Sequence, residues 1–340
     1  MTNLRRWASI ILLILSTAGA FHLHAYLKER AMHAIPYGFQ EFHLADPIPT
    51  CGRWKEHMPA KRDPNAYQLY IAARKVWRSK IGWQLTREET SRILTDVRMA
   101  ADMGDWGARA LMAHFYLYGL GVLDSNHVLD ADPEKAIEID FMAAKAGQPW
   151  ALFDLGVAYE HGYGGLPRDE KLAWAYYLRA ARLGSPDAQV ALASAYGHAN
   201  RPEDARAMLK CAYQQGHGAA AYELGIWALS DELYEDAIHI YQEGIKFGSA
   251  DCASSLWLLF LKGYWSSSSE AEKASLRQLG IRADAGRADH YSDVMHALEI
   301  NPDLRLGRID EVLPLPPEPL PEWSGIAAAL DPEPEGPPRY

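Results

Sequence analysis

Glycines recur at Gly104, Gly147, Gly184, Gly216 and Gly248, in steps of 43, 37, 32 and 32 residues. A near-constant step of this size marks a stacked repeat in which each unit packs mainly on its neighbours. Each glycine follows a helical ending and suits the left-handed position that terminates a helix. Four residues later comes a small residue (Ala108, Ala151, Ala188, Ala220, Cys252), and four further an apolar one (Met112, Leu155, Leu192, Leu224, Leu256). Another four brings Tyr116, Tyr159, Tyr196, Ala228 and Phe260, so one stripe runs along one face of a first helix. A second helix carries Ala136, Ala173, Ala205 and Ala237, whose small side chains let two backbones approach closely. The expected fold is therefore an all-α solenoid of about five helix pairs over residues 64–263.

The best unit, 151–184, combines Ala151, Leu155, Gly156, Tyr159, Gly162, Tyr163, Gly164, Ala180, Ala181 and Gly184. Residues 108–147 match through Tyr116, Gly119, Gly121, Ala143, Ala144 and Gly147, with an extra loop from Leu123 to Asp132. These positions resemble the Sel1-like repeat, a TPR-like helix pair, over about residues 85–263. The units 188–216 and 220–248 are shorter and lack the G-x-G turn.

Both ends differ from the middle. Residues 30–63 are rich in turn formers and read as an extended lead-in, with Asp63 and Pro64 opening the first helix near 65–78. Residues 264–326 read as a helical cap followed by a strap, and 327–340 as a loose tail. Ten of the 20 prolines fall in 301–340, so 309–325 is expected to be extended, with Val312, Leu313, Leu315, Leu320 and Trp323 packed on the last helices. The rival reading of that segment is a free polyproline ligand. Residues 308–317 (RIDEVLPLPP) and 320–325 (LPEWSG), with Cys51 ahead of the array, resemble a group of bacterial envelope proteins similar to periplasmic immunity proteins of type VI secretion phospholipase effectors. The resemblance implies a protein that binds such an effector and occludes it.

Residues 1–29 hold an apolar run after Arg5 and Arg6. Two readings stand side by side: a signal peptide cleaved after Ala20, or an inner-membrane anchor over 7–27. Either exports residues 30–340 to the periplasm, because the arginines stay inside. Cys51, Cys211 and Cys252 form no disulfide framework by spacing. They are read as three small apolar residues, with one bridge allowed in an oxidising compartment.

The net charge of −10 argues against a phosphate-tracking nucleic-acid binder. No HExxH, CxxC, G-x-S-x-G, P-loop or S-x-x-K motif is present, so neither an enzyme nor a bound cofactor is expected. The acids that open second helices complement the helix dipole rather than forming acid–base pairs. His114, on a first helix, is the histidine most open to a functional role, though a satisfied helix position explains it as well. Candidate partner-binding residues are Asp124, His127 and Asp130 in the inserted loop, His161 and Tyr163 at a repeat turn, and Trp150 and Trp227 on first helices. Packing between repeats is the favoured explanation of the tryptophans, while a tolerated insertion with no role explains the loop equally. The alternative function is a general cell-envelope scaffold or adaptor with another protein partner.

Overall fold

The computed structural model describes residues 33–59 and 61–331. The export segment, and with it the readings of 1–29 and of cleavage after Ala20, lies outside the described residues, as do 332–340. Among the described residues no helix is long and apolar enough to cross a membrane.

Antiparallel helix pairs build the body. They are α1 (Pro64–Arg78) with α2 (Arg87–Asp102), α3 (Trp106–Tyr118) with α4 (Pro133–Lys145), and α5 (Pro149–His161) with α6 (Glu170–Arg182). Next come α7 (Pro186–His198) with α8 (Pro202–Tyr213) and α9 (Gly218–Ser230) with α10 (Tyr234–Lys246). A sixth first helix, α11 (Ala250–Phe260), touches its successor α12 (Lys262–Ser267) but packs mainly on α14 (Ala285–Ile300), beyond α12 and α13 (Glu270–Gln278). The repeat pattern fades after 263 in the sequence because this insertion separates the last pair.

The marker glycines hold the left-handed backbone that the pattern requires, with φ of 94°, 80°, 91°, 79° and 85° at Gly104, Gly147, Gly184, Gly216 and Gly248. The shorter repeats replace the G-x-G turn with single left-handed residues, Asn200 (φ 58°) and Glu232 (φ 59°). Within pairs, Gly156 and Gly225 lie where a Cβ would strike the rings of Tyr177 and Tyr241, so the missing side chain lets each second helix close in. The stripe residues Ala151, Leu155, Ala188, Leu192, Cys252 and Leu256 are fully buried. Each fully buried leucine contributes roughly 1.5–3 kcal/mol.

Both ends are tied down. Residues 33–59 lie along the array: Phe42 stacks on Trp174 (5.1 Å), Phe39 meets Tyr176 edge-on (4.9 Å), and Gln189 Nε2 donates to the Gly52 carbonyl (3.1 Å). A disulfide joins Cys51 to Cys211 on α8, across 160 residues, with Cα atoms 5.4 Å apart. This corrects the reading of three packed thiols; only Cys252 stays free, and it is buried. A partner 160 residues away gives no spacing signal, because the bridge depends on how the lead-in lies on the array.

The C-terminal strap is packed rather than free. Leu313 is fully buried, Gln242 Nε2 donates to its carbonyl (3.0 Å), Arg287 donates to the carbonyls of Pro314 and Glu318, and Trp323 stacks on His290 at 4.4 Å. The strap is not wholly extended: 309–312 form one helical turn, α15 (Ile309–Val312), which carries Ile309 into the core. Residues 327–331, expected in the loose tail, are also held. They lie in and just after α16 (Ile326–Ala329), where Ala329 is buried and Asp331 N donates to the Arg305 carbonyl (2.9 Å).

Candidate interaction groove

The first helices α5, α7, α9 and α11 begin side by side. The residue just before the small residue of each first helix is Trp150, Asp187, Ala219 or Asp251, and these four line a cavity of about 340 Å³. Trp54 and Met58 of the N-terminal segment form one wall, and Leu298 and Pro302 at the end of α14 form another. Trp54 is fixed by its backbone N–H, which donates to Gln215 Oε1 (3.0 Å), and by the nearby disulfide. Pro302 is fixed by its neighbour Asp303, which takes a bidentate hydrogen bond from Arg74 on α1 (2.6 and 2.8 Å). The groove is therefore walled by both ends of the described chain.

Helix starts ordinarily offer unsatisfied amides to anions. At three of the four starts a side chain takes one of these amides: Ser185 Oγ accepts from Ala188 N (3.2 Å), His217 Nδ1 from Ala220 N (3.3 Å) and Ser249 Oγ from Cys252 N (3.2 Å), while α5 has no such cap. Because an amide N–H can only donate, Nδ1 of His217 carries a lone pair, and its Nε2–H donates to Asp187 Oδ1 (3.0 Å). His217 is thus neutral in this arrangement, and the formal charges on the lining are the carboxylates of Asp187 and Asp251. Ala219 and Asp251 are exposed.

The sequence candidates separate into distinct places. Trp150 lines the groove, 2% exposed, with Nε1 donating to Gln148 Oε1 (2.8 Å). Asp124, His127 and Asp130 sit in the inserted loop, away from the groove lining. Buried Asn126 locks that loop by donating to the carbonyls of Gly82 (2.9 Å) and Leu85 (2.8 Å). Asp130 accepts from His127 Nε2 (2.9 Å), and this hydrogen bond raises the histidine's pKa. His161 is exposed at the end of α5, while Tyr163 is half-buried against the core. Burial, then the charges of Asp154 and Asp140, raise the Tyr163 pKa. Trp227 lines a separate hollow on α9, with the Arg206 guanidinium 5.1 Å from its ring centre. His114 packs on Trp77 (5.5 Å) and Tyr118 (4.8 Å), and burial, followed by the charges of Arg78 and Arg74, lowers its pKa to about 4. Sequence reasoning passed over Asp187, Ala219 and Asp251, although their register just ahead of the small residue was readable. Pro302 and Leu298 carried no such signal, since they reach the groove only through tertiary closure. Among the described residues no group of three or more His, Cys, Asp or Glu is arranged to hold a metal ion.

The Sel1 repeat model matches residues 107–147, 151–185 and 186–217. The chain carries Sel1 repeats. The matched units are the pairs α3/α4, α5/α6 and α7/α8, and the same pairing continues on either side of them. Three solved structures from Pseudomonas aeruginosa are similar over most of the chain. Immunity protein Pa5087 has 26% identity and a TM-score of 0.62, covering 80% of this chain and 96% of its own. PA5086 has 26% identity and a TM-score of 0.64, covering 81% and 97%. Immunity protein PA5088 has 24% identity and a TM-score of 0.60, covering 79% and 94%, a likeness of fold. No curated protein matches the chain by sequence. Sel1 repeats and these neighbours together make this a protein-binding helical array.

Proposed function

We propose that this chain is an immunity protein that binds a type VI secretion phospholipase effector in the periplasm and blocks access to its active site. The observation that carries the reading is the near full-length likeness to immunity protein Pa5087, at 26% identity. The tail resemblance at 308–325 supplies the effector class. The Cys51–Cys211 bridge supports an oxidising compartment, because disulfides persist outside the cytoplasm and are rare within it. The protein reaches that compartment as a soluble chain after cleavage, or tethered to the inner membrane by residues 7–27. Its role is steric, with no chemistry of its own.

The test is co-expression of a type VI secretion phospholipase effector, exported to the periplasm, with and without this chain. Restored growth, a stable complex on size exclusion and loss of lipase activity on mixing support the reading. Full lipase activity at saturating protein overturns it. Recovery instead of a structural envelope protein as the stoichiometric partner would favour the adaptor reading.

A further inference from the structure

The chemistry of the groove at the helix starts selects its occupant. Its floor alternates an aromatic (Trp150), a carboxylate (Asp187), a small gap (Ala219) and a second carboxylate (Asp251), all at one register position of successive first helices. Trp54, Met58 and Leu298 give it apolar sides. At three of the four helix starts one amide is already taken by Ser185, His217 or Ser249, and His217, accepting at Nδ1, turns its Nε2–H to Asp187. Arg305, whose Nη1 lies 2.8 Å from where a Cβ on Gly248 would stand, directs that nitrogen to the carbonyls of Pro302 (3.2 Å) and Leu304 (2.9 Å). What the lining offers is negative charge beside flat apolar surface, which suits a guanidinium on a long aliphatic stem.

We propose that this groove receives an extended segment of the protein partner that carries two basic side chains, arginines foremost, one meeting Asp187 and the other Asp251. The identification of the partner as a toxin rests on the immunity reading; the groove's preference for a basic peptide does not. Asp187 and Asp251 stand on first helices separated by α9, at most two helix spacings of about 10 Å apart, so an extended strand of about six residues is long enough to reach from one to the other. A cavity of about 340 Å³ is at the small end of ligand clefts, which run to roughly 300–1,000 Å³, so it takes side chains and a strand rather than a folded domain. Its walls are fixed in advance by the disulfide on one side and the Arg74–Asp303 pair on the other. Little ordering is left for binding to do.

The test uses the oxidised full chain and a fluorescein-labelled Ser/Ala peptide with two arginines six residues apart, read by anisotropy at low salt. Its counterpart carries glutamates at both positions. The arginine peptide is expected to bind at least tenfold more tightly than the glutamate peptide. Asp187→Asn with Asp251→Asn should abolish that preference. Ala219→Trp, which fills the groove and leaves both acids in place in the sequence, should weaken binding of the arginine peptide at least tenfold. Asp124→Asn with Asp130→Asn, in the inserted loop, should leave it unchanged. Equal binding of the two peptides, or groove variants at Asp187, Asp251 or Ala219 indistinguishable from the parent, overturns the proposal; thermal melts establish that each variant is folded. Effector neutralisation is scored on the same proteins. If the parent and the groove variants neutralise alike, the groove is not the toxin site and the immunity reading stands. If the parent fails to neutralise yet discriminates the peptides, the groove stands and the toxin reading falls.

Discussion

Asp303 accepts hydrogen bonds from both Nε and Nη2 of Arg74, at 2.6 and 2.8 Å, joining the first helix of the array to the loop that follows α14, 229 residues later. The Arg74 side chain is 7% exposed and also donates to the Tyr70 hydroxyl, while Arg78 Nε lies 3.6 Å from the same carboxylate. One acid thus neutralises two largely buried guanidiniums. Solenoids ordinarily connect only neighbours; this pair adds a long-range clasp, and it sets the wall of the groove at Pro302.

Asp303→Asn should therefore cost about 3–5 kcal/mol, the range for leaving a buried charge without its partner. Burial alone would raise the Asp303 pKa, but the Arg74 hydrogen bonds and charge hold it below the usual carboxylate value. Its contribution is then full above that usual value and is lost as pH falls through the lowered one. Urea denaturation at pH 7 gives the magnitude, and hydrogen exchange at 298–306 should rise by the same mutation. A loss under 1 kcal/mol would show that the clasp does not couple the ends.

Removing the disulfide should act on the N-terminal segment first. Cys51→Ser and Cys211→Ser should have equal effects, since either opens the same bridge, with a stability loss of roughly 2–5 kcal/mol as is typical for native bridges. Limited proteolysis should cut within 33–59 in both variants and spare the oxidised parent. Cys252 should behave differently: burial pushes its thiol up to about 12, so it should resist maleimide in the folded protein and react only after unfolding. Rapid labelling of the native chain at Cys252 would contradict its placement.

The repeat was legible because its causes are local. A left-handed terminator, a small contact residue four positions on and an aromatic eight further leave marks in sequence, and Gly147, Ala151 and Tyr159 stand where those marks put them. The strap was legible through its prolines and Trp323. The Cys51–Cys211 bridge, the Arg74–Asp303 clasp and the displacement of α14 were not, because each depends on where the superhelix carries distant segments. Half of the candidate site was in view: Trp150 was noted for its size, whereas Asp187 and Asp251 resembled ordinary acids of a helix first turn, which they also are.

Asp140 on α4 is 4% exposed, and its Oδ1 has no hydrogen-bond partner. Burial raises its pKa, and Asp154 beside it is raised as well, by burial and then by the charge of Asp140. A raised carboxyl keeps its proton in the folded chain after the unfolded chain has lost it. Stability therefore falls as pH rises from the ordinary carboxylate value toward the raised one. Asp140→Asn removes the titration while keeping the shape. It should match the parent near pH 4 and exceed it by about 1–3 kcal/mol at pH 7.5. Melting curves across that range decide the point; a variant less stable than the parent at neutral pH would mean that Asp140 serves a partner as a charged group.

His114 gives the opposite slope and can be separated from Asp140 by difference. Its pKa is lowered from 6.5 to about 4, mainly by burial and then by Arg78 and Arg74. Between those values the unfolded chain binds a proton that the folded chain refuses, so stability falls as pH drops from 6.5 to 4 and levels off below. A shift of this size corresponds to about 3 kcal/mol, discounted to roughly 2 for the ring's partial exposure. His114→Leu keeps the apolar contact with Trp77 and Tyr118 and cannot titrate. Subtracting its stability from the parent's across pH 3.5–7.5 cancels the buried acids, which both proteins share. The difference should slope between 4 and 6.5 and be flat on either side. A flat difference throughout, or a His114 proton exchanging near 6.5 by NMR, would place the imidazole in water and remove it from the packed end of α3.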